Sequence, residues 1–389
     1  MDTVSRIETF PLRIPRPVPY LGQLEEGVQP NARGLYVRPG NRTYYSIHDH
    51  TVLIKLTTRA GCVGWGECFG VVAPEIVSTI VEALGEPMIV GRSPHQVTAI
   101  FDDLYDSLRV RGYFGGFWLD AIAGLDMALW DLRGKMLELP VSLLLGGRRA
   151  ARLPAYVSGL PEAELPARTA LAQAWIDRGF RAVKFAAVTA QAGELTEIQA
   201  LRAALGPAPQ ILADFHWRYT GQEAVVLISA MEPYGLAVAE APVAPEDIAG
   251  LRHVAGNVKT PIAIGEELRT VHEYLPRFEA RCMSIVQPEM LHMGITSFHR
   301  VCLLADAFHC RVMPHATVGI GIGQAASLHV SAAIRNFAMH EYQHSIFDRN
   351  LTLVHTRMTC EQGYFHLPQG PGLGVEPRDA AFDYLTTGA

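Results

Sequence analysis

The six cysteines of this 389-residue sequence, Cys62, Cys68, Cys282, Cys302, Cys310 and Cys360, never form a Cys-x-x-Cys pair. That scatter argues against a disulfide framework or a cysteine-bound zinc, and for reduced thiols in a cytoplasmic setting. Lys/Arg clusters interleaved with aromatics are also missing and the formal net charge is −6, which excludes nucleic acid as a partner. No apolar run reaches the ~18 residues of a membrane-crossing helix. The opening Met1-Asp2-Thr3-Val4-Ser5-Arg6 lacks the basic-then-apolar pattern of a secretion signal, so no membrane partner is expected. With 49% hydrophobic residues, the sequence suffices for one large core or two unequal domains.

Hydrophobic patterning divides the chain in two. Up to about residue 128 the pattern is α+β. Strand-like segments run from Val4 to Pro11 and from Tyr44 to Thr58, the latter turning at Arg59-Ala60-Gly61 into Val63-Gly64-Trp65-Gly66-Glu67. A Gly/Pro-rich stretch between them, Pro17 to Asn41, has the length of a substrate lid. A helix is expected from about Asp120 to Leu137, ending before Pro140 and Gly146-Gly147. Across 129–362, short apolar runs alternate with helical stretches at about the spacing of one βα unit. The candidate strands are Pro154 to Ser158, Ala182 to Phe185, Ile211 to Phe215, Leu236 to Ala239, Pro261 to Ile264, Met283 to Val286, Arg311 to Met313 and Asn336 to Met339. Eight such units close a (β/α)8 TIM-type barrel, so the fold class is α/β with an α+β capping domain. The Gly/Pro-rich tail, 363–389, is expected to pack back on that domain and complete it.

Three of these strands end in an acid: Asp214, Glu240 and Glu266. An isolated acid at a strand end is usually a solvated cap, but three at equal spacing on consecutive parallel strands converge on one barrel face. Three hard oxygen donors favour Mg²⁺. Glu267 competes with Glu266 for the third place, and strand parity leaves the two open. Parity puts His216 on the same face as Asp214, where it could donate a proton to a leaving group. It also pairs Lys184 with Ala186, a position without a functional group. Gln287-Pro288-Glu289 and Met313-Pro314-His315 end neighbouring strands, so Glu289 can hold one ring nitrogen of His315 and leave the other to act as a base. Glu341, after the eighth strand, could hydrogen-bond an oxygen that gains charge, if it is protonated there.

These motifs resemble those of the mandelate racemase/muconate-lactonizing family of the enolase superfamily, over essentially the whole chain. Gly179-Phe180-Arg181-Ala182-Val183-Lys184 is similar to the family's second-strand lysine motif, Ala239-Glu240-Ala241-Pro242 to its Glu-x-Pro ligand strand, and Gly265-Glu266 to its third-ligand strand, which selects Glu266. Asp126-Met127-Ala128-Leu129-Trp130-Asp131 resembles the helix before the barrel. Many members carry Lys-x-Lys on the second strand, and Ala186 removes that second base. Asp214-x-His216, Gln287-Pro288-Glu289 and Pro314-His315 resemble the galactonate-type acid-sugar dehydratases, with Glu289 in place of the more usual Asp. The resemblance implies a Mg²⁺-dependent lyase acting on a small sugar acid, with His216 as acid and His315 as base, in a homo-oligomer. A sugar-lactone cycloisomerase or epimerase with His315 as single base is the alternative. A metal- and ligand-binding barrel without catalysis is the reading from outside enzymology.

Overall fold

The computed structural model describes residues 2–316 and 319–386. An N-terminal capping domain precedes a (β/α)8 barrel. The cap contains β1 (Val4–Pro15), β2 (Leu35–Val37), β3 (Tyr44–Ser46), β4 (His48–Thr58) and β5 (Val63–Phe69). An antiparallel sheet runs β1-β4-β5, and β2 and β3 form a separate hairpin that occupies part of the Gly/Pro-rich stretch. Three helices follow: α1 (Pro74–Ile89), α2 (Val97–Arg109) and α3 (Gly116–Met136). The last crosses position 128/129 without a break. Backbone approach explains two glycines: a methyl on Gly66 would meet the Ala128 amide at 2.8 Å, and one on Gly124 would meet Cys68 Cβ at 2.9 Å, so α3 lies directly on β5.

The barrel strands are β6 (Arg152–Ser158), β7 (Ala182–Ala186), β8 (Gln210–Asp214), β9 (Leu236–Glu240), β10 (Ile262–Ile264), β11 (Ile285–Val286), β12 (Arg311–Val312) and β13 (His340–Gln343). They pair in parallel from β6 through β12, and β13 pairs with β6. The eighth strand is thus displaced from the expected Asn336 to Met339. Closure happens in two steps: Asn336 to Ala338 bond to Val312 around a bridge at Phe337, and His340 to Gln343 then cross to β6. Asn336 is committed at the base, where its amide donates to the carbonyls of Cys302 and Cys310 at 3.1 Å each.

Period-2 alternation sorts the strand residues into two layers. Tyr156, Ala182, Leu212, Val238, Ala263, Ile285 and Met313 fill the barrel interior, whereas Val183, Phe185, Ile211, Ala213 and Ala239 join the main core. Lys184, Asp214 and Glu240 share parity with Ala182, Leu212 and Val238, so all three project from the inner layer. The tail divides its contacts. Tyr364–His366 pairs antiparallel with the start of β6, while Phe382 packs against Phe10 at 5.0 Å and Leu385 bridges Leu12 in the cap.

Three buried acids fasten the cap to the barrel and the tail. Glu67 on β5 accepts from the amides of Ile320 (2.6 Å) and Gly323 (3.0 Å) and from Thr51 Oγ1 (2.9 Å). Asp126 on α3 accepts from the Thr296 amide at 2.8 Å and lies 2.6 Å from its hydroxyl. Asp131 takes the amides of Trp65 (2.8 Å) and Leu373 (2.7 Å). No described helix is long and apolar enough to cross a membrane.

Candidate active site

A cavity of about 210 Å³ opens over the C-terminal ends of the barrel strands and is roofed by the cap. Lys184, Asp214, His216, Glu266, His315 and Glu341 line it from below. Glu240 and Glu289 stand behind them, both almost fully buried.

Lys184 is the hub. Its ammonium donates to both Glu240 oxygens, at 2.9 and 2.8 Å, and reaches Glu341 Oε1 at 2.9 Å. Burial alone would depress its pKa, but Glu240 and Glu341 hold it well above the ordinary value. Gln287 donates to Glu240 Oε2 at 2.6 Å. Glu341 also accepts from the Ala316 amide at 2.9 Å. Against the opposing effect of burial, Lys184 and His315 keep Glu341 below the usual carboxylate range. These two cations favour its ionised form, in which it accepts from Lys184 and the Ala316 amide.

Glu289 is fixed twice: Oε1 caps the following helix through the Leu291 amide at 2.8 Å, and Oε2 holds His315 Nδ1 at 2.6 Å. The other ring nitrogen, Nε2, lies 2.8 Å from Glu266 Oε2. Burial opposes charge on this ring, but Glu266, Glu341 and the bond to Glu289 raise its pKa well above normal. With a carboxylate oxygen against each ring nitrogen, the surroundings favour the imidazolium form. Glu266 pays this back electrostatically: despite burial, His315 brings its pKa down to about 2.

Position 216 comes to the site differently from the expected pleat alternation. β8 ends at Asp214, and His216 and Trp217 take positive φ values of 49° and 54°, so a turn swings the ring back over the strand end. Its amide donates to Asp214 Oδ1 at 2.9 Å, and Nε2 is 3.2 Å from Asp214 Oδ2. Burial lowers its pKa, with Glu266 and Glu240 pulling it part of the way back. Parity is also reset at the third acid. Counting from the inward Ala263 would aim Glu267 into the barrel, but Gly265 has φ 136° and interrupts the strand, so Glu266 faces the cavity. Glu267 folds back on the Gly265 amide at 3.2 Å, and burial pushes its pKa up to about 7.

As they stand, no three His, Cys, Asp or Glu side chains among the described residues form a ready metal-ligand set. Lys184 and Gln287 engage Glu240, and His315 engages Glu266. The donor chemistry nevertheless fits a hard divalent cation. Burial, with Glu266 adding to it, pushes Asp214 up to about 7, and burial with Asp214, Glu341 and Glu266 pushes Glu240 up to about 8. Buried carboxylates that raise one another's pKa lack positive charge, which a cation would supply.

The residues the sequence did not disclose come from the roof. Arg16, Tyr20, Tyr45, His48 and His50 line the cavity, so the lid contributes mainly through Tyr20 and Leu21 and yields to residues 43–50. Trp217 lines it too, whereas Arg218 turns away to Glu194 and the Ala187 carbonyl, each at 3.2 Å. Only the alternation His48-Asp49-His50 hinted at such a role.

Residues 35–146 match the mandelate racemase / muconate lactonizing enzyme N-terminal domain, and residues 167–381 match the enolase C-terminal domain-like family. The chain belongs to the mandelate racemase/muconate lactonizing family of the enolase superfamily. A D-galactonate dehydratase of Ralstonia nicotianae is 32% identical over 359 residues, covering 87% of this chain and 91% of that protein. A D-galactarolactone cycloisomerase of Agrobacterium fabrum is 30% identical over 349 residues, with 86% and 90% covered. Among solved structures, a Sinorhizobium meliloti protein provisionally designated an isomerase superposes with a TM-score of 0.98 at 51% identity, covering 99% of this chain and 100% of that one.

Proposed function

We propose that this chain is a Mg²⁺-dependent sugar-acid dehydratase, removing the proton α to a carboxylate and expelling the β-hydroxyl to give a 2-keto-3-deoxy acid. The observation that carries this reading is a pair of imidazoles in one cavity: His315 fixed by Glu289, and His216 fixed by Asp214. Mg²⁺, held by Asp214, Glu240 and Glu266, would neutralise the acids that keep His315 protonated and withdraw charge from the substrate carboxylate.

Neutral His315, with Nδ1 bonded to Glu289, presents Nε2 to the α-proton. Lys184, oriented by Glu240 and Glu341, places its ammonium where negative charge grows on the substrate carboxylate. His216 gives a proton to the departing hydroxyl, and because burial lowers its pKa, an imidazolium there is a strong acid. Ala186 offers no base on the second strand, so a two-base racemisation lacks its partner. Incubation with Mg²⁺ and a broad panel of aldonic and aldaric acids should yield a 2-keto acid from at least one. Absence of keto acid across the panel would contradict the reading.

A sugar-lactone cycloisomerase or epimerase is the second reading. The burial that makes His216 a strong acid also favours its neutral form, which suits a reaction driven by His315 alone. In D₂O, deuterium at the α-carbon without loss of water would favour this alternative.

A further inference from the structure

The floor and roof of the cavity differ in charge. Every carboxylate lining it, Asp214, Glu266 and Glu341, comes from the barrel, whereas the cap contributes no acid and one permanent cation, Arg16. The Arg16 side chain is buried and pairs with Asp49, which is wholly buried and also pairs with Arg349. One carboxylate thus serves two guanidiniums. Acids on neighbouring segments are engaged elsewhere, Glu25 by Arg38 at 3.0 Å and Glu75 by Arg13 at 3.6 Å. Arg16 Nε has no hydrogen-bond partner. A buried, half-compensated guanidinium is costly to keep unless a further anion completes it.

Position identifies which end of a substrate would meet it. The Arg16 guanidinium lies 4.9 Å from the centroid of the Tyr20 ring, and the Tyr20 phenol feels the charges of His315, Glu341, Glu266 and Lys184. Tyr20 thus sits beside the cation and within electrostatic reach of the reacting groups, and all of them line one cavity. Beside Arg16, His48 and His50 stack at 6.0 Å, and His50 Nδ1 donates to the Val71 carbonyl at 2.7 Å, which leaves Nε2 as a hydrogen-bond acceptor with no protein partner.

We propose that Arg16 binds a second carboxylate at the far end of the substrate, so that the preferred substrates are aldaric acids or their monolactones and not aldonic acids. The inference rests on the sugar-acid reading of the site and deepens it. Arginine suits the task because its planar fork meets a carboxylate through two parallel hydrogen bonds, whereas a terminal hydroxymethyl group leaves the charge unmet. Discrimination is built in from both sides.

The test uses six-carbon pairs differing only at C6, such as galactarate and galactonate, or glucarate and gluconate. Calorimetric binding with Mg²⁺ in an H315N background avoids turnover, with Arg16 intact or changed to Met or Lys. At least one diacid should bind on the order of 10- to 100-fold more tightly than its aldonate, the scale of a charge-assisted hydrogen-bond pair. R16M should erase the difference and R16K keep part of it. Equal or tighter aldonate binding, a preference that survives R16M, or no binding by any diacid would overturn the proposal. A diacid preference lost in R16M without keto acid or isomerised product from the wild type would uphold the subsite and sink the reaction. Keto acid formed mainly from aldonates, unchanged in R16M, would do the reverse.

Discussion

Asp214 on the barrel rim and Asp126 on the capping helix are both buried, and burial pushes both to a pKa of about 7, yet their surroundings have little else in common. Asp126, like Glu67, spends its oxygens on backbone amides and a hydroxyl that have nowhere else to go. Asp214, Glu240 and Glu266 face one another and are compensated by Lys184 and His315, side chains that can exchange partners. A perturbed pKa therefore does not mark a functional acid by itself. What distinguishes Asp214, Glu240 and Glu266 from Asp126 and Glu67 is compensation by the ionisable side chains Lys184 and His315 at the cavity.

The comparison can be broken at either end. On the rim, H315N should lower kcat by about 10²- to 10⁴-fold, the range of a lost general base, with the melting temperature near that of the wild type. A collapse of folding would place His315 with the structural group. At the seam, E67A strands the Ile320 and Gly323 amides in a dry interface and should cost about 2–3 kcal/mol in denaturant unfolding, with per-molecule kcat retained. Lost activity at full stability would erase the distinction.

Mg²⁺ sharpens it further. Near 100 times its dissociation constant the ion should stabilise the wild type by about 2.7 kcal/mol, read as a higher melting temperature that vanishes in E266Q and persists in D126N. The smallest effect is a pH dependence. The folded-state pKa of Asp126, about 7, lies above the ordinary 3.8, so the folded protein holds this proton more tightly than the unfolded chain. Its stabilisation is complete below about pH 4 and is lost as pH rises towards about 7. Asn cannot ionise and keeps a matching hydrogen-bond pattern, so D126N should gain on the wild type across that window, by on the order of 1 kcal/mol per pH unit at most. A difference independent of pH would contradict this.

Legibility in the sequence followed periodicity. The barrel and the inward Lys184, Asp214 and Glu240 could be read because strand alternation is local and regular. Glu266 and His216 reach the cavity through something alternation does not encode, the positive φ at Gly265 and at His216 itself; for Glu266 the resemblance carried the choice that parity left open, whereas His216 was placed on the right face by parity although a turn delivers it. The eighth strand was misplaced because closure is shared between two neighbouring strands, each taking only a few residues. The cap residues over the cavity stayed hidden because only tertiary packing brings Arg16 and His50 above strands more than a hundred residues away.

The division of labour between the two imidazoles is the central claim, and α-proton exchange in D₂O tests it most directly. With a substrate that the wild type dehydrates, H216N should still exchange the α-proton while losing water elimination, and H315N should lose both. Exchange by H315N at the wild-type rate would contradict the account.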